Sequence, residues 1–458
     1  MEGGDFVIEK EISYTINFSQ DVLYLILDSY IVRRAAAPAE RYVDVYDENG
    51  VRTRLAGDGV ASVRKITLRD ERLVHWLRSA NALVPLVCRE NREAAVPPAH
   101  AARRLASLVD TTVYRLDGVD VKFEHVYLHA SGVDKHESAT AHKIVALKNA
   151  LLNISIAHPA QNLQLGSDAV LARLRLELEF AGAAPTGAQL DAFCALVVQM
   201  EALADHQNIA PALPYTTLLD KAVPRKFVRE HKIAYGAAAL DSTGVKKWAF
   251  KLDGVRGRGA FRRGFVLVQT DDMRLYSAQV AHPFALNNVV TFQCEVLQDK
   301  IFVTDLLQVF RYKYNNRTQY ECNLQTAYSL DAALAVECLN YLHNAVGSVA
   351  LPQFGELQFQ QFHDPPLAPT HYTTVAIDGY IVLDERLQYA KYKWMPTVEL
   401  EYDAPAGTLN SIDGPLLDRV IVADVPLQHK VVYECAFTDT VINVLKARPD
   451  RIVPSKVC

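Results

Sequence analysis

The chain has 458 residues, half of them hydrophobic and 22% charged, with a formal net charge of −5. It is about three times as long as a modal domain, so two or three domains are expected, and its ordinary globular composition excludes disorder as the main theme. A slight acidic excess argues against a protein that coats nucleic acid non-specifically, because such binding is mostly phosphate neutralisation.

No run approaches the roughly 18 apolar residues of a membrane span. The start, Met-Glu-Gly-Gly-Asp, lacks the basic and apolar regions of a signal peptide. Seven cysteines are scattered with no Cys-x-x-Cys pair, which fits a reducing compartment. The expectation is a soluble, intracellular protein with no membrane partner.

In chain order, Ile8 to Thr15 alternates, which predicts a strand with Glu9, Glu11, Ser13 and Thr15 on one face and Ile8, Ile12 and Tyr14 on the other. Ser19 precedes apolar residues at helical spacing from Gln20 to Leu27, with Asp21 in the first turn, so a helix follows. Short β-like runs recur at 41–46, 51–55, 62–68, 111–116, 119–128 and 173–180, closed by signals such as Asn49-Gly50 and Asp117-Gly118. This pattern predicts an antiparallel sheet or barrel. A helix over 187–204 leads to Asn208-Ile-Ala-Pro-Ala-Leu-Pro214, which breaks regular structure and sets a boundary near 206. Strands at 247–251, 264–269, 291–304, 374–383 and 389–394 follow, with a helix over 329–345. A second boundary at Asp403-Ala-Pro-Ala-Gly407 leaves a small C-terminal piece with strands near 419–424 and 430–437. The expected domains are therefore 1–205, 206–403 and 404–458, in an α+β, β-rich chain.

The most informative stretch is Lys251-Leu-Asp253-Gly254-Val-Arg256. A decoy, Arg115-Leu-Asp117-Gly118, has the same shape, but a guanidinium does not lose its proton to become a nucleophile. Lys-x-Asp-Gly resembles the first motif of the covalent nucleotidyltransferases, the DNA ligases, RNA ligases and mRNA capping guanylyltransferases. Further segments resemble their later motifs in order. Phe292-Gln-Cys-Glu295 resembles the third, whose acid meets the ribose, and Ile301-Phe302-Val-Thr-Asp305 the strand after it. Ile377-Asp378-Gly379 resembles the fourth, Lys391-Tyr-Lys393 the fifth, and Arg448-Pro-Asp450-Arg451 the sixth. Two positions depart from the usual pattern: Cys294 stands where Gly is usual and Arg451 where Lys is usual.

The residue types suit the chemistry that the resemblance implies. A lysine that attacks the α-phosphate of a nucleotide must be neutral, which cationic neighbours promote, and Arg256, Lys391 and Lys393 are expected to supply that field. The same cations neutralise the phosphates as pyrophosphate leaves. In the family the sixth motif sits on a small OB-like barrel that closes over the triphosphate, a role assigned to 404–458.

The first 200 residues add a second theme. Glu9 and Glu11 share one strand face, as do Arg173, Arg175, Glu177 and Glu179 on a later strand. Four converging carboxylates repel unless a divalent metal binds between them. Between them in sequence lie Arg52, Arg54, Arg64, Lys65 and Lys122. The combination resembles the triphosphate tunnel metalloenzymes, antiparallel barrels in which glutamates hold metal and inward bases hold a 5′-triphosphate. No His-Cys pair and no Gly-Lys-Ser/Thr phosphate loop offers another route to that chemistry. Glu399-Leu-Glu401, a further Glu-x-Glu, has no counterpart in the resemblance.

The tunnel fused ahead of a guanylyltransferase, opening with Ile-Glu-Lys-Glu-Ile and carrying Leu-Glu-Leu-Glu-Phe near 180, resembles the baculovirus mRNA capping enzymes, the late expression factor four family. The resemblance implies a metal site of Glu9, Glu11, Glu177 and Glu179, for Mg2+ or Mn2+. It implies triphosphate contacts from Arg52 or Arg54, Glu93, Lys122 and Arg175, with Lys251 as the GMP-carrying nucleophile. Asp253, Gly254, Arg256, Glu295, Asp378, Lys391, Lys393, Arg448, Asp450 and Arg451 fall around the nucleotide. The implied partners are GTP, 5′-triphosphate RNA and other subunits of a viral RNA polymerase in the host nucleus. Two rivals remain: an ATP-dependent polynucleotide ligase, and a non-catalytic polymerase subunit that keeps the fold as scaffold.

Overall fold

The computed structural model describes residues 6–35, 37–47, 49–57, 59–97, 105–128, 170–203, 219–232, 242–286, 288–314, 322–352, 354–367, 375–394, 397–449 and 451–456. The chain divides into two compact units. One comprises Met1–Leu213, Phe284–Asn288 and Val309–Ser329, and the other Pro214–Pro283, Val289–Gln308 and Leu330–Cys458. The breaker segment 208–214 lies outside the described residues. No helix among the described residues is long and apolar enough to cross a membrane.

In the first unit eight strands close into a barrel: β1 (Phe6–Ile16), β2 (Glu40–Asp47), β3 (Val51–Ala56), β4 (Gly59–Leu77), β5 (Ala82–Val96), β6 (Leu105–Leu116), β7 (Val119–Leu128) and β8 (Val170–Glu179). The order is β1-β5-β4-β3-β2-β6-β7-β8, and β8 pairs back onto β1. Closure leaves no open sheet edge. The pleat sorts the residues. Ile12, Tyr14 and Ile16 of β1 and Leu174 and Leu176 of β8 are buried on the outer face, where α1 (Gln20–Ile26) packs on β8 and α2 (Gly187–Ala202) on β1, β4 and β5. A capping box starts α2, with Thr186 accepting from the Gln189 amide and the Gln189 side chain reaching back. Phe193, Leu196, Val197 and Met200 then recur at helical spacing as its buried face.

Between β6 and β7, the decoy Asp117-Gly118 is a two-residue hairpin turn with φ of 53° and 81°. Two successive positive φ values are what a type I′ turn requires, which accounts for the Asp-Gly pair. β5 has no counterpart among the runs read from sequence. Its inward face carries Arg89, Asn91 and Glu93, so the apolar alternation that marks a half-buried strand is missing.

The later strands are β9 (Arg229–Lys232), β10 (Val245–Leu252), β11 (Val255–Arg262), β12 (Phe265–Thr270), β13 (Leu275–Ala278), β14 (Asn288–Leu297), β15 (Lys300–Tyr314), β16 (Cys322–Leu324), β17 (Tyr328–Ser329), β18 (Ser348–Leu351), β19 (Gly355–Phe359), β20 (Ile377–Asp384) and β21 (Tyr389–Lys393). One sheet of the second unit has the order β10-β20-β21-β9, and another runs β13-β12-β11-β14-β15-β19-β18. The far end of β15 pairs with β16 and β17 and belongs to the first unit. α3 (Ala332–Ala345) starts at Asp331, whose carboxylate accepts from the Leu334 amide at 2.8 Å, and packs on β19.

The C-terminal piece is a six-stranded sheet, β24-β23-β22-β26-β27-β25. Its strands are β22 (Val398–Asp403), β23 (Thr408–Ser411), β24 (Gly414–Pro415), β25 (Val420–Ala423), β26 (Val432–Phe437) and β27 (Val441–Ala447). Leu400, Leu409, Tyr433 and Ile442 form its core. This sheet takes in Val398–Asp403, ahead of the sequence limit at 403.

Candidate active sites

The barrel interior is built from alternate residues of its strands. β1 and β8 are antiparallel neighbours with Glu11 opposite Glu179 and Ser13 opposite Glu177, so Glu9, Glu11, Glu177 and Glu179 share one face. The cations come from the other strands. Lys65 of β4 bonds Glu9 and lies 3.6 Å from Glu93, while Arg52 of β3 meets Glu93 at 3.2 Å. Lys122 of β7 bonds Glu177, and Arg175 meets the same carboxylate at 2.6 Å. Arg54 and Arg52 are two apart and share a face, but Arg54 pairs with Asp44 at 2.8 Å and stacks on the Tyr42 ring. Arg64 has the opposite parity from Lys65 and is exposed.

The electrostatics separate the four glutamates. Burial and then the Glu177 charge raise the Glu11 pKa, and burial and then Glu9 raise that of Glu179. Burial pushes Glu177 the same way, but Arg175 and Lys122 outweigh it and hold its carboxyl below the ordinary value. The sequence expectation placed all four around a metal. Among the described residues, however, no group of three or more His, Cys, Asp or Glu side chains gathers closely enough to hold one. Glu9 and Glu177 are turned to ammonium groups instead. The donor chemistry still fits, since a hard divalent cation takes carboxylate oxygens of this kind. Three buried donors in this interior, Arg52 Nε, Asn91 Nδ2 and Arg175 Nε, have no hydrogen-bond partner among the described residues. Buried N–H groups in folded proteins are nearly always paired, and an oxyanion would pair these.

The second site centres on Lys251 at the end of β10. Its Nζ donates to both carboxylate oxygens of Asp378, at 2.7 and 2.8 Å, because β10 and β20 are paired with Lys251 opposite Gly379. Gly379 has φ 152°, and a Cβ there would lie 1.8 Å from the Tyr392 carbonyl oxygen, so β20 and β21 approach this closely only with glycine. Gly254 is required in the same way: a Cβ would fall 2.4 Å from the Val296 carbonyl oxygen. Its amide donates to Glu295 at 3.0 Å. Burial pushes the Glu295 carboxyl up to about 7, against the opposing pull of Lys251 and this amide.

The field at Lys251 differs from the sequence expectation. Its nearest charge is the Asp378 carboxylate. Arg256 is turned to Asp271 at 2.6 Å, and Lys391 lies over the Phe227 ring. Lys393 shares Asp378 at 3.6 Å and donates to Thr397 at 2.9 Å. All of these groups except Asp271 and Thr397 line one cavity of about 170 Å3 with Glu295, Gln293 and Thr304. The Thr304 hydroxyl is buried there without a hydrogen-bond partner among the described residues. Cys294 fills the space opposite Gly257, where a Cβ would meet its sulfur at 2.9 Å. Burial raises that thiol well above its ordinary pKa, so it is a packing residue.

The C-terminal sheet adds its own cations. Arg448 meets Glu399 at 3.3 Å and Glu434 at 3.4 Å, and Arg451 meets Glu399 at 3.5 Å. Lys446 bonds Asp253 directly and lies 3.6 Å from Glu434. Glu434 is held below its ordinary value despite burial, by Thr397, Lys446, Lys393 and Arg448. Asp450 lies outside the described residues. Sequence reasoning missed Lys446, Glu434, Asp44 and Asn91, and with them Glu124, which meets Arg175 at 3.4 Å, and Arg89, 4.0 Å from Glu11. Strand parity was the available signal for two of them, since Lys446 is two residues before Arg448 and Glu124 two after Lys122.

A closed antiparallel barrel with a charged interior, joined in one chain to a second β-rich unit whose pocket centres on Lys251, defines the class of protein. The chain belongs to the Late expression factor 4 (LEF-4) family, whose profile matches residues 9–455. Its relatives include the mRNA capping enzyme LEF-4 of Orgyia pseudotsugata multicapsid polyhedrosis virus, 74% identical over 456 residues and spanning 100% of both chains. The mRNA capping enzyme LEF-4 of Autographa californica nuclear polyhedrosis virus is 53% identical over 99% of this chain and 100% of its own. Among solved structures, S. pombe Pct1 RNA triphosphatase in complex with the Spt5 CTD has a TM-score of 0.22 at 12% identity, over 44% of this chain and 84% of its own. A mycobacterial DNA ligase D complexed with ATP and MES has a TM-score of 0.23 at 15% identity, over 49% and 96%. Likenesses at these scores are too slight to bear on function.

Proposed function

We propose that this chain is an mRNA capping enzyme that acts in two steps. The barrel domain, 1–205, hydrolyses the γ-phosphate from 5′-triphosphate RNA, and from free nucleoside triphosphates. The nucleotidyltransferase domain, 206–403, then moves GMP from GTP through Lys251 to the 5′-diphosphate end, under a lid formed by 404–458. The observation that carries this reading is the Lys251 amine, held 2.7 Å from Asp378 in a pocket that also gathers Glu295, Lys391, Lys393, Arg448 and Arg451.

In the tunnel, Arg52, Arg175, Lys122 and Lys65 bind and orient the triphosphate, with Arg54 and Glu93 ordering the wall. Glu9, Glu11, Glu177 and Glu179 are the groups that would hold Mg2+ or Mn2+; such an ion, when bound, polarises the γ-phosphate for attack by water. In the transferase pocket Lys251 must lose a proton before its lone pair attacks the α-phosphorus, and Asp378 is the base placed to receive it. Glu295 is placed to accept from the ribose hydroxyls, next to Asp253, Gly254 and Arg256. Lys391, Lys393, Arg448 and Arg451 serve the departing pyrophosphate, and Asp450 belongs to the nucleotide-binding set. The enzyme works with the other subunits of a viral RNA polymerase, in the host nucleus.

Incubation with α-labelled GTP and a divalent cation is expected to leave label on the denatured protein, and Lys251→Ala to abolish it. Label from ATP but not from GTP would turn the reading to a polynucleotide ligase. No label from either nucleotide would leave the scaffold reading.

A further inference from the structure

A second cavity, of about 550 Å3, adjoins the Lys251 pocket and shares with it Asp253, Gly254, Lys446 and Arg448. Its remaining walls are different. They come from the turn joining β14 to β15, including Leu297 and Lys300, from Phe302 on β15, and from residues just ahead of β20. None of Glu295, Lys391, Lys393 and Thr304 reaches it. Those groups, with the unpaired Thr304 hydroxyl, gather the contacts for the donor's ribose and reacting phosphates in the smaller pocket. The larger cavity therefore lies beside the Lys251 loop, away from Glu295, Lys391, Lys393 and Thr304.

We infer that this cavity receives the acceptor: the 5′-diphosphate end of the RNA with its first nucleoside. The inference rests on the capping reading and names where its second substrate sits. Volume is the first support, since ligand pockets of about 300–1,000 Å3 enclose molecules of nucleotide size. The lining is the second. Phe302 is half-buried and offers a ring face on which any first base can stack, a sequence-tolerant contact suited to an enzyme that caps many transcripts. Lys300, Lys446 and Arg448 share the wall with Asp253 and Asp299. Each cation rests on a carboxylate, Lys300 on Glu356 at 3.1 Å, Lys446 on Asp253 and Arg448 on Glu399, and phosphates seated here would exchange for those partners. The shared loop is the third. An acceptor seated here presents its phosphates to the nucleotide on Lys251 past Asp253 and Gly254, and Lys446 is the cation those phosphates would draw away from Asp253.

The transfer balances without another reactant. A terminal β-phosphate oxygen of the RNA forms the new P–O bond to the α-phosphorus. The P–N bond to Lys251 breaks, its electron pair stays on Nζ, and Nζ takes a proton from solvent.

The test separates the two half-reactions. Full-length protein carrying Lys300→Glu, and separately Phe302→Ala, is labelled with α-labelled GTP, and the isolated GMP-protein is chased with 5′-diphosphate RNA. The RNA concentration for half-maximal transfer is expected to rise about tenfold in each variant, the scale of one lost stacking or phosphate contact. The GTP concentration for half-maximal labelling should stay at the wild-type value, which also shows that the variants are folded. A matching rise for GTP overturns the inference, because the cavity then serves the donor. Unchanged RNA dependence in both variants overturns it as well. A wild-type protein that takes no label from GTP removes the capping reading itself and this site with it, whereas wild-type labelling and transfer with unaffected variants removes only the site.

Discussion

The barrel interior and the Lys251 pocket are both crowded with opposite charges, but they hold them differently. In the barrel the partners sit on adjacent strands of one closed sheet and are well buried: the Lys122 and Glu177 side chains are 14% and 4% exposed. Around Lys251 the pair that reaches from the C-terminal sheet to the Lys251 loop, Lys446 with Asp253, is 38% and 39% exposed. Arg448 and Arg451 rest on Glu399 and Glu434 of their own sheet. Exposed pairs contribute about 0–1 kcal/mol, whereas removing one partner of a buried pair costs about 3–5 kcal/mol. The tunnel is thus preorganised. Beside Lys251, Lys446 rests on an exposed carboxylate that a phosphate can replace at small cost.

The comparison breaks most visibly at Glu177. Glu177→Ala leaves Lys122 and Arg175 buried without their shared carboxylate, so a loss of about 3–5 kcal/mol of stability is expected, together with loss of γ-phosphate release. Thermal unfolding and phosphate release measure the two effects. Labelling of Lys251 should persist in the protein that remains folded, and a variant as stable as wild type would contradict the preorganised tunnel.

An intermediate effect is expected at Glu295. Its carboxyl is raised from 4.5 to about 7 by burial, so the folded state keeps a proton that the unfolded chain releases between those values. By linkage the stabilisation is fully present below about 4.5 and is lost as pH rises through about 7. Wild-type Tm should therefore fall relative to Glu295→Gln between pH 5 and 8. A difference that stays flat across that range would place the titration elsewhere.

The smallest effect belongs to Lys446. Lys446→Ala should change stability by about 1 kcal/mol or less, since its pair with Asp253 is well exposed and Glu434 keeps Lys393 and Arg448 as partners, while altering the rate at which label from GTP appears. A large fall in Tm would mean that the Lys446 contact is structural.

Much of this layout was legible in the chain. Alternation at Ile8–Thr15 and 173–180 exposed the two acidic faces, and the motif order from Lys251 to Arg451 marked the second site. What was not legible had a physical reason in each case. β5 escaped because a strand that turns Arg89, Asn91 and Glu93 inward has no apolar period. Glu399 had no counterpart in the resemblance, yet it anchors Arg448 and Arg451. The two Asp-Gly steps look alike in sequence, but Asp117-Gly118 is a hairpin turn while Gly254 sits against the β14 backbone.

By itself the sequence determined the residue types, their strand faces and their order, because those depend on periods of a few residues. Only the tertiary structure decided which charge each one meets. Lys122 finds Glu177 at a separation of 55 residues and Lys251 finds Asp378 at 127. Those meetings depend on barrel closure and strand register, where a shift of one residue turns a side chain to the opposite face. Register is set by all the strands together, so no local pattern contains it.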